Sequence, residues 1–410
     1  MAASRILFVH QNFPGQFPHI ADAVLRRGHK VAAIGDQTAK GRPGVDVRRW
    51  KLLRGTTPGL FDPATRAEAD LLRGQAAAEA ALKLKADGFT PDLIIGHPGW
   101  GETLQLREVF PNAKQILFGE FFYRSRGADV NFDPEFETPA PKSDFRIHAK
   151  NMGLALAYSE ADMIVCPTPF QASLLPRGLH DRIRVVHEGV DLDRAKRVPG
   201  ASLKLSDGRV LDGRKPVITF INRHFERLRG FHIFMRALPS LLERVPDAEV
   251  LLIGTDSTKV YGGSLPDGQT WKGKMLAEVG DRLDMDRVHF TGALDHADMV
   301  KALSISTAHV YYTYPFVLSW SLVEAMACEC LIVGSDTAPL RDAIEPGVNG
   351  LLRDFFDVQG LADTLVGVCQ NPEAYAPLRS AARATALERF DRETVGVPGW
   401  LDLIDEVMAR

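Results

Sequence analysis

AHVYYTYPFVLSWSLVEAMACECLIVGS, residues 308–335, contains a strand, a turn, a helix and a second strand in succession. The apolar runs AHVYYTY and CLIVGS flank the helical run SWSLVEAMACE. Strands that alternate with helices indicate a parallel sheet, because two parallel strands need a crossover connection between them. This segment therefore predicts an α/β fold with a parallel sheet.

The same alternation extends over most of the chain and weakens only at residues 191–216, a polar stretch that contains Pro and three Gly. Strand-like runs precede and follow this stretch, and among them are RILFVH (5–10), DLIIGH (92–97), KQILFG (114–119), VITFIN (217–222) and VHFTG (288–292). We predict an α/β protein with two doubly wound, Rossmann-like domains that face each other across a cleft. Ligands of such sheets bind at the carboxyl ends of the strands, so the cleft is the expected site.

The predicted domain boundaries follow from this pattern. Residues 1–190 form the first, acceptor-side domain, and residues 191–216 form a linker. Residues 217–385 form the second, nucleotide-binding domain. Residues 386–410 form C-terminal helices that can cross back onto the first domain.

Composition and charge exclude several classes of protein. The 410 residues carry a formal net charge of -3, and without a basic bias nucleic acid is not an expected partner. No run approaches the roughly 18–20 apolar residues of a membrane span, and ILFV near the N-terminus is too short for a signal peptide. We therefore expect a cytoplasmic protein. The basic, amphipathic run HIADAVLRRGHK (19–30) is compatible with peripheral contact at the inner membrane face or with an ordinary surface helix.

The turn and helix of the opening segment predict an anion site. Ser319 is a candidate N-cap, and the first-turn amides of Ser319, Trp320, Ser321 and Leu322 favour a phosphate. Glu324 follows about one and a half turns into the helix, where a carboxylate can accept both hydroxyls of a ribose. The alternative is a surface glutamate on an amphipathic helix.

A second candidate lies in ITFINRHFERLRGFHIF (218–234), which follows a strand and precedes a helix. Arg223 and Arg229 concentrate positive charge there, and guanidinium groups suit phosphate oxygens. The alternative is a solvated basic loop. Taken with the helix start and Glu324, the arginines describe a site for a nucleoside diphosphate.

The second half resembles the nucleotide-binding domain of family 4 glycosyltransferases, which have the GT-B fold. The resemblance rests on Arg223 and Arg229 before Gly230, on Glu324 to Ala327 (EAMA), on RVHFTG (287–292), which ends in Gly292, and on residues 336–357. It implies a retaining transferase in which Arg223 and Arg229 hold the diphosphate, Glu324 the ribose, and the strand ending at Gly292 the base. A UDP-sugar is favoured as donor, with a GDP-sugar as the alternative.

Two positions depart from the family pattern. The family usually has a first Glu eight residues before the second, and Phe316 stands at that position here. In relatives that Glu contacts hydroxyls of the donor sugar, so the identity of the sugar stays open. The usual Lys of the phosphate pair is Arg229, which keeps the charge.

The first half resembles the family through RGHKV (27–31), PDLIIGH (91–97) and RVVHEGVD (184–191), and HQNFPGQF (10–17) resembles a subgroup. His97 ends a predicted strand, and in relatives a His near this position faces donor sugar and acceptor. Glu120 can orient an acceptor hydroxyl, or pair with a nearby arginine. Gly15 can let its loop approach a sugar closely, or simply form a turn.

The sequence does not predict a metal site or a cofactor. The two acidic DxD strings, Asp191–Asp193 and Asp284–Asp286, lie at the start of the predicted linker and in a polar turn rather than at the end of a strand. Cys328 and Cys330 lack a neighbouring His or Cys to complete a zinc site. The arginines and the helix dipole would then stabilise the leaving group without a metal.

Three alternatives to a transferase follow from the same pattern. A nucleotide-sugar 2-epimerase shares the two-domain architecture, and an inactive transferase-like binding protein would fit the missing Glu at Phe316. A nicotinamide-dependent oxidoreductase is disfavoured because no G-x-G-x-x-G follows a strand. The acceptor is a glycan, a lipid-linked glycan or a small molecule, and the protein is a monomer or a homodimer.

Overall fold

A computed structural model describes residues 3–137 and 141–410, and leaves aside the side chains of Lys142 and Ser143. Contacts divide the chain into two compact units. Unit 1 comprises Met1–Gly189 together with Arg392–Arg410, and unit 2 comprises Val190–Asp391.

Unit 1 contains a seven-stranded parallel sheet with the order β3-β2-β1-β4-β5-β6-β7. Its strands are β1 (Arg5–Val9), β2 (Lys30–Gly35), β3 (Val45–Arg49), β4 (Leu93–Gly96), β5 (Lys114–Phe118), β6 (Met163–Cys166) and β7 (Ile183–Val185). The chain reverses its direction of travel across the sheet between β1 and β4. This is the switch point at which such sheets bind their ligands.

Helices cover both faces of this sheet. They are α1 (Pro18–Arg26), α2 (Asp62–Ala86), α3 (Leu106–Val109), α4 (Pro141–Glu160) and α5 (Pro169–Leu174). Alternate residues of β1 enter different cores: Ile6 and Phe8 pack with α1, and Leu7 and Val9 pack with α2. Burial on both faces explains why β1 has a continuous apolar sequence rather than an alternating one.

Unit 2 contains a six-stranded parallel sheet with the order β12-β11-β10-β13-β14-β15 and a separate antiparallel pair, β8-β9. Its strands are β8 (Leu203–Lys204), β9 (Val210–Leu211), β10 (Val217–His224), β11 (Glu249–Thr255), β12 (Val288–Gly292), β13 (Ala308–Tyr311), β14 (Ile332–Ser335) and β15 (Leu351–Arg353). Here the switch point lies between β10 and β13, which pair directly through Phe220 and Val310.

Seven helices of unit 2 follow the strands. They are α6 (Phe231–Arg244), α7 (Trp271–Val279), α8 (His296–Ser304), α9 (Trp320–Ala327), α10 (Ala338–Arg341), α11 (Val358–Gln370) and α12 (Ala376–Phe390). The helix of the opening segment is α9, between the parallel neighbours β13 and β14. The prediction of two doubly wound, Rossmann-like α/β domains is confirmed.

The segment 191–216 contains more structure than the linker that we predicted. It includes β8 and β9, and its apolar residues Leu192, Ala195, Ala201, Leu203 and Leu205 are buried in the core of unit 2. Spaced apolar residues within a polar stretch gave a weak periodic signal, and for that reason the sequence analysis missed them.

The last helix, α13 (Val397–Ala409), belongs to unit 1, whereas the preceding α12 belongs to unit 2. Trp400 of α13 is fully buried, and its ring lies 6.0 Å from that of Phe17 and 6.3 Å from that of Phe118. The C-terminus thus completes the core on one face of the first sheet. Within the described ranges, no helix combines the length and apolar character that a bilayer crossing requires.

Replacing Trp400 should destabilise unit 1. Trp400→Ala removes a fully buried aromatic side chain, and we expect the free energy of unfolding to fall by about 3–5 kcal/mol. Chemical denaturation measures this value. The exposed Asp402→Ala on the same helix is the matched control, with a change within about 0.5 kcal/mol. A loss as small as that of the control would contradict the packing role of α13.

Candidate functional site

The arginine at the start of α6 is fixed by the loop that follows β13. One nitrogen of Arg229, Nη1, donates to Thr313 Oγ1 at 2.9 Å, to the carbonyl oxygen of Val317 at 2.9 Å and to Tyr311 Oη at 3.3 Å. The Phe316 ring lies 5.7 Å from Arg229 Cζ. Anchoring through one nitrogen leaves Nε and Nη2 of the guanidinium to meet an anion at the switch point of unit 2.

Gly230 lets the chain turn into α6 immediately after Arg229. Its φ is +68°, and a Cβ there would lie 2.3 Å from Tyr312 Cβ. Only glycine fits both the left-handed conformation and this close approach. Arg223, near the end of β10, is exposed, whereas Arg227 donates from Nε to the carbonyl oxygen of Gly262 at 2.8 Å.

The N-terminus of α9 lies beside Arg229. Ser319 is the N-cap residue, but its hydroxyl contacts Ser321 Oγ at 2.6 Å instead of capping a backbone amide. Its own amide donates to Tyr311 Oη at 2.8 Å, and the amide of Leu322 donates to the carbonyl oxygen of Ser319 at 3.1 Å. Of the four predicted anion-binding amides, those of Ser319 and Leu322 are therefore already engaged within the protein.

Glu324 lies on α9 with 16% of its side chain exposed, and its Oε1 contacts His296 Nε2 at 2.9 Å. Burial raises the pKa of Glu324 above its ordinary value, and the bond to His296 opposes this shift. His296 is the first residue of α8, four residues after Gly292, where β12 ends with a φ of +72°. The sequence analysis missed His296, because nothing in the local sequence links it to a carboxylate 28 residues away.

Phe316 is buried where the family usually has a glutamate. Its ring lies 5.2 Å from that of Tyr261. An aromatic ring in contact with Tyr261 and near Arg229 offers no hydrogen-bond acceptor to a sugar hydroxyl.

Two histidines end the strands that flank the switch point of unit 1. His10 follows β1 and His97 follows β4; both are buried, and their rings lie 5.3 Å apart. Trp100 stacks on His97 with ring centres 4.6 Å apart. The structure thus brings His97 to the position where doubly wound sheets bind ligands.

Glu120 lies between the two histidines, in direct contact with His97 and connected to His10 through Gln16. His97 Nε2 lies 3.3 Å from Glu120 Oε2, and Gln16 Nε2 donates to Glu120 Oε1 at 3.3 Å. Gln16 Oε1 in turn lies 2.6 Å from His10 Nε2. Because the amides of Asn12 and Gly99 donate to the Nδ1 atoms of the histidines, each ring proton lies on Nε2. One carboxylate oxygen of Glu120 therefore receives a hydrogen bond from Gln16, and the other lies in close contact with His97 Nε2.

The electrostatics keep Glu120 ionised and His10 neutral. Burial raises the pKa of Glu120, but the interactions with His97, His10 and Gln16 outweigh it and bring the pKa below its usual value. Burial, with the adjacent His97, lowers the pKa of His10 to about 3. Gly15 packs against His10, and a Cβ there would lie 2.2 Å from Nε2 of that ring. His10 and Gln16 lie within the quoted motif HQNFPGQF, which was the signal that could have identified them.

Glu102 is a buried carboxylate close to this cluster. It is fully buried, and among the described residues neither of its oxygens has a hydrogen-bond partner. Burial raises its pKa to about 7, although the charges of Arg73 and His97 lower it in part. The sequence analysis did not single out Glu102.

The two DxD strings lie in turns of unit 2. Asp284 accepts from Arg287 Nε at 2.8 Å and from the amide of Asp286 at 3.1 Å. Asp191 Oδ1 accepts from the amide of Arg194 at 3.2 Å. These bonds are those of ordinary turn aspartates.

Two family models match the chain. Residues 27–195 match the glycosyl transferase family 4 group, and residues 204–385 match the glycosyl transferases group 1. Both models describe glycosyl transferases, and together they span most of the chain. The HQNFPGQF motif at residues 10–17 precedes the first matched residue, so the subgroup stays a prediction.

Curated relatives of this chain include two mycobacterial proteins. The phosphatidyl-myo-inositol mannosyltransferase of Mycolicibacterium smegmatis is 30% identical over 196 residues, which cover 47% of this chain and 44% of that protein. The D-inositol 3-phosphate glycosyltransferase of Mycobacterium tuberculosis is 27% identical over 253 residues, which cover 60% and 49%. The chain spans less than half the length of these relatives.

Solved structures share the fold of this chain over nearly its whole length. Sucrose-phosphate synthase from Thermosynechococcus elongatus has a TM-score of 0.74 and 19% identity, and covers 99% of this chain and 100% of its own. Anabaena HepE in complex with UDP and glucose has a TM-score of 0.66 and 18% identity, with 98% and 99% covered. At these identities the likeness shows the fold.

Glu102 should make stability depend on pH. The folded protein holds the Glu102 proton up to about pH 7, whereas an unfolded chain releases it near the ordinary pKa of 4.5. The free energy of unfolding therefore falls as pH rises between these values and is level above them. Glu102→Gln cannot ionise, so its stability relative to the wild type should rise by roughly 1–3 kcal/mol from pH 4.5 to pH 8.

Denaturation curves of both proteins at each pH check this expectation. The other titrating groups are common to both proteins, so the difference isolates Glu102. Equal pH dependence of the two proteins would show that Glu102 is not protonated in the folded state.

Proposed function

We propose that the chain is a metal-independent, retaining glycosyltransferase that moves a sugar from a nucleoside diphosphate, UDP-sugar in preference to GDP-sugar, to an acceptor hydroxyl. The observation that carries the proposal is the anchoring of Arg229 at the N-terminus of α9. A guanidinium and a helix N-terminus side by side suit a diphosphate better than either feature alone.

In the proposed reaction, the bond between the anomeric carbon and the diphosphate oxygen breaks and a bond to the acceptor oxygen forms. The acceptor hydroxyl loses its proton, and the diphosphate leaves with the bonding electrons. Arg229, Arg223 and the dipole of α9 stabilise the negative charge on the leaving group. Retention at the anomeric carbon follows from the family resemblance.

We assign the ribose, the base and the sugar of the donor to residues of unit 2 other than those at the start of α9. Oε1 of Glu324 is held by His296, which fixes the carboxylate so that it can accept the ribose hydroxyls. The end of β12 at Gly292 has open space where a Cβ would lie, and we assign this place to the base. Phe316 replaces a hydroxyl-binding carboxylate with an apolar ring, so we expect the donor sugar to be recognised in part by contact with that ring.

In unit 1, His97 and Glu120 are assigned to the acceptor. Glu120 is ionised and 30% of its side chain is exposed, so it can orient an acceptor hydroxyl while it also accepts from Gln16 and contacts His97. The amide of Gly99, which donates to His97 Nδ1, and the carboxylate beside Nε2 hold the imidazole in one orientation.

Relatives support the donor and acceptor classes. UDP occurs in the HepE complex, and two relatives are named for inositol-based acceptors, which carry several hydroxyls. We therefore favour a UDP-sugar, and as acceptor a polyhydroxylated small molecule, a glycan or a lipid-linked glycan.

Glu324→Gln should weaken nucleotide binding while the protein stays folded. The substitution keeps the shape of the side chain but removes the negative charge, and we expect the Kd for UDP to rise about tenfold, since bonds from a ligand to a charged group contribute about 1.5–3 kcal/mol. Isothermal titration calorimetry measures the Kd. Glu329→Gln, beyond the C-terminal end of α9, is the control. Equal UDP affinity of wild type and Glu324→Gln would refute the ribose assignment.

Purified protein incubated with a UDP-sugar should release UDP at a rate that an acceptor polyol increases, and an excess of EDTA should leave that rate unchanged. Arginines rather than a metal ion stabilise the leaving group in the proposed mechanism, so chelation removes nothing that it needs. Chromatography of the sugar products distinguishes the alternatives. Conversion of the donor sugar to its 2-epimer without acceptor would favour the epimerase, and loss of activity in EDTA would contradict metal independence.

A further inference from the structure

The hydroxyl of Tyr311 connects the two halves of the proposed diphosphate site. Tyr311 ends β13 and is 2% exposed. Its Oη accepts the amide hydrogen of Ser319 at 2.8 Å and a guanidinium hydrogen of Arg229 at 3.3 Å. One oxygen atom thus contacts both the residue that caps α9 and the cation beside it.

A hydroxyl oxygen is suited to this position because both neighbours are donors. The amide of Ser319 lies at the start of a helix, where it has no acceptor within the helix itself. Arg229 cannot accept a hydrogen bond, so a residue between the two must offer lone pairs to both. Phenylalanine would fill the same space but would offer neither.

We infer that Tyr311 is a positioning residue of the diphosphate site, which holds Arg229 and the N-terminus of α9 in one fixed arrangement. The inference rests on the proposed function, because it assigns Tyr311 to the binding of the diphosphate. Thr313 Oγ1 and the carbonyl oxygen of Val317 hold the same nitrogen of Arg229. Tyr311 alone among the described contacts of Arg229 also reaches the backbone of the cap residue.

The inference predicts an effect that depends on the phosphate groups of the ligand. The ribose and the base contact Glu324 and the end of β12 in the proposed function, and the Tyr311 hydroxyl bonds neither to the side chain of Glu324 nor to β12. Loss of that hydroxyl should therefore weaken binding of a nucleoside diphosphate more than binding of the bare nucleoside.

Tyr311→Phe and Tyr312→Phe form a matched pair for the test. The two tyrosines are adjacent in sequence and both are buried, but among the described residues the hydroxyl of Tyr312 has no hydrogen-bond partner. We expect Tyr311→Phe to raise the Kd for UDP about tenfold and to change the Kd for uridine less than about twofold. Tyr312→Phe should change neither value beyond about twofold.

Isothermal titration calorimetry measures UDP binding, ligand-observed NMR measures uridine binding, and the Tm of each variant reports its folding. The double variant Tyr311→Phe/Arg229→Ala should bind UDP little worse than Arg229→Ala, since Tyr311 acts in part through Arg229.

The outcomes separate this inference from the proposed function. Unchanged UDP affinity in Tyr311→Phe, with a wild type that binds UDP, would overturn the inference alone. Equal losses for UDP and uridine, or failure of Tyr311→Phe to fold, would assign Tyr311 a purely structural role and overturn it as well. A wild type that binds no UDP would overturn the proposed donor together with the inference.

Discussion

The hydrogen bonds of Arg229 to the loop after β13 are the constraint on which the second unit's chemistry depends. A flexible arginine must lose much of its rotamer freedom to bind an anion, whereas Arg229 is already fixed through Nη1 by Thr313 and Val317. Preorganised charge is effective in catalysis because it need not reorient during the reaction. The parallel pairing of β10 and β13 makes these bonds possible, since it brings both strand ends to the same edge.

Unit 1 also has polar side chains at the ends of the strands that flank its switch point, but their chemistry differs from that of unit 2. There the strands at the switch point end in His10 and His97, and a carboxylate rather than a cation connects the side chains. Hydrogen bonds run from His10 through Gln16 to Glu120, and Glu120 contacts His97 directly. Backbone amides that donate to Nδ1 assign each imidazole one tautomer. One sheet design thus supports a cationic site in one unit and an anionic, hydrogen-bonded cluster in the other.

Local sequence predicted the sheets and the residues within contiguous motifs. Apolar runs that alternate with helices gave the two domains, and the strand–turn–helix pattern pointed to Glu324 and Arg229. The partners of these residues could not be predicted, because the fold brings them from distant elements: Tyr311 is 82 residues from Arg229, and Gln16 is 104 residues from Glu120. We predicted that the amide of Ser319 binds an anion, but it donates instead to a side chain of the preceding strand, the hydroxyl of Tyr311.

Because α13 belongs to unit 1 but follows unit 2 in the sequence, the core of unit 1 is completed only after unit 2 has been synthesised. The amide of Val190 donates to the carbonyl oxygen of Phe390 at 2.8 Å, so the two ends of unit 2 lie together. Unit 2 is therefore an insertion whose residues all leave the ribosome before the last helix does. Unit 1 receives Trp400 only after the whole of unit 2 has been synthesised, so one apolar face of its sheet stays uncovered until then.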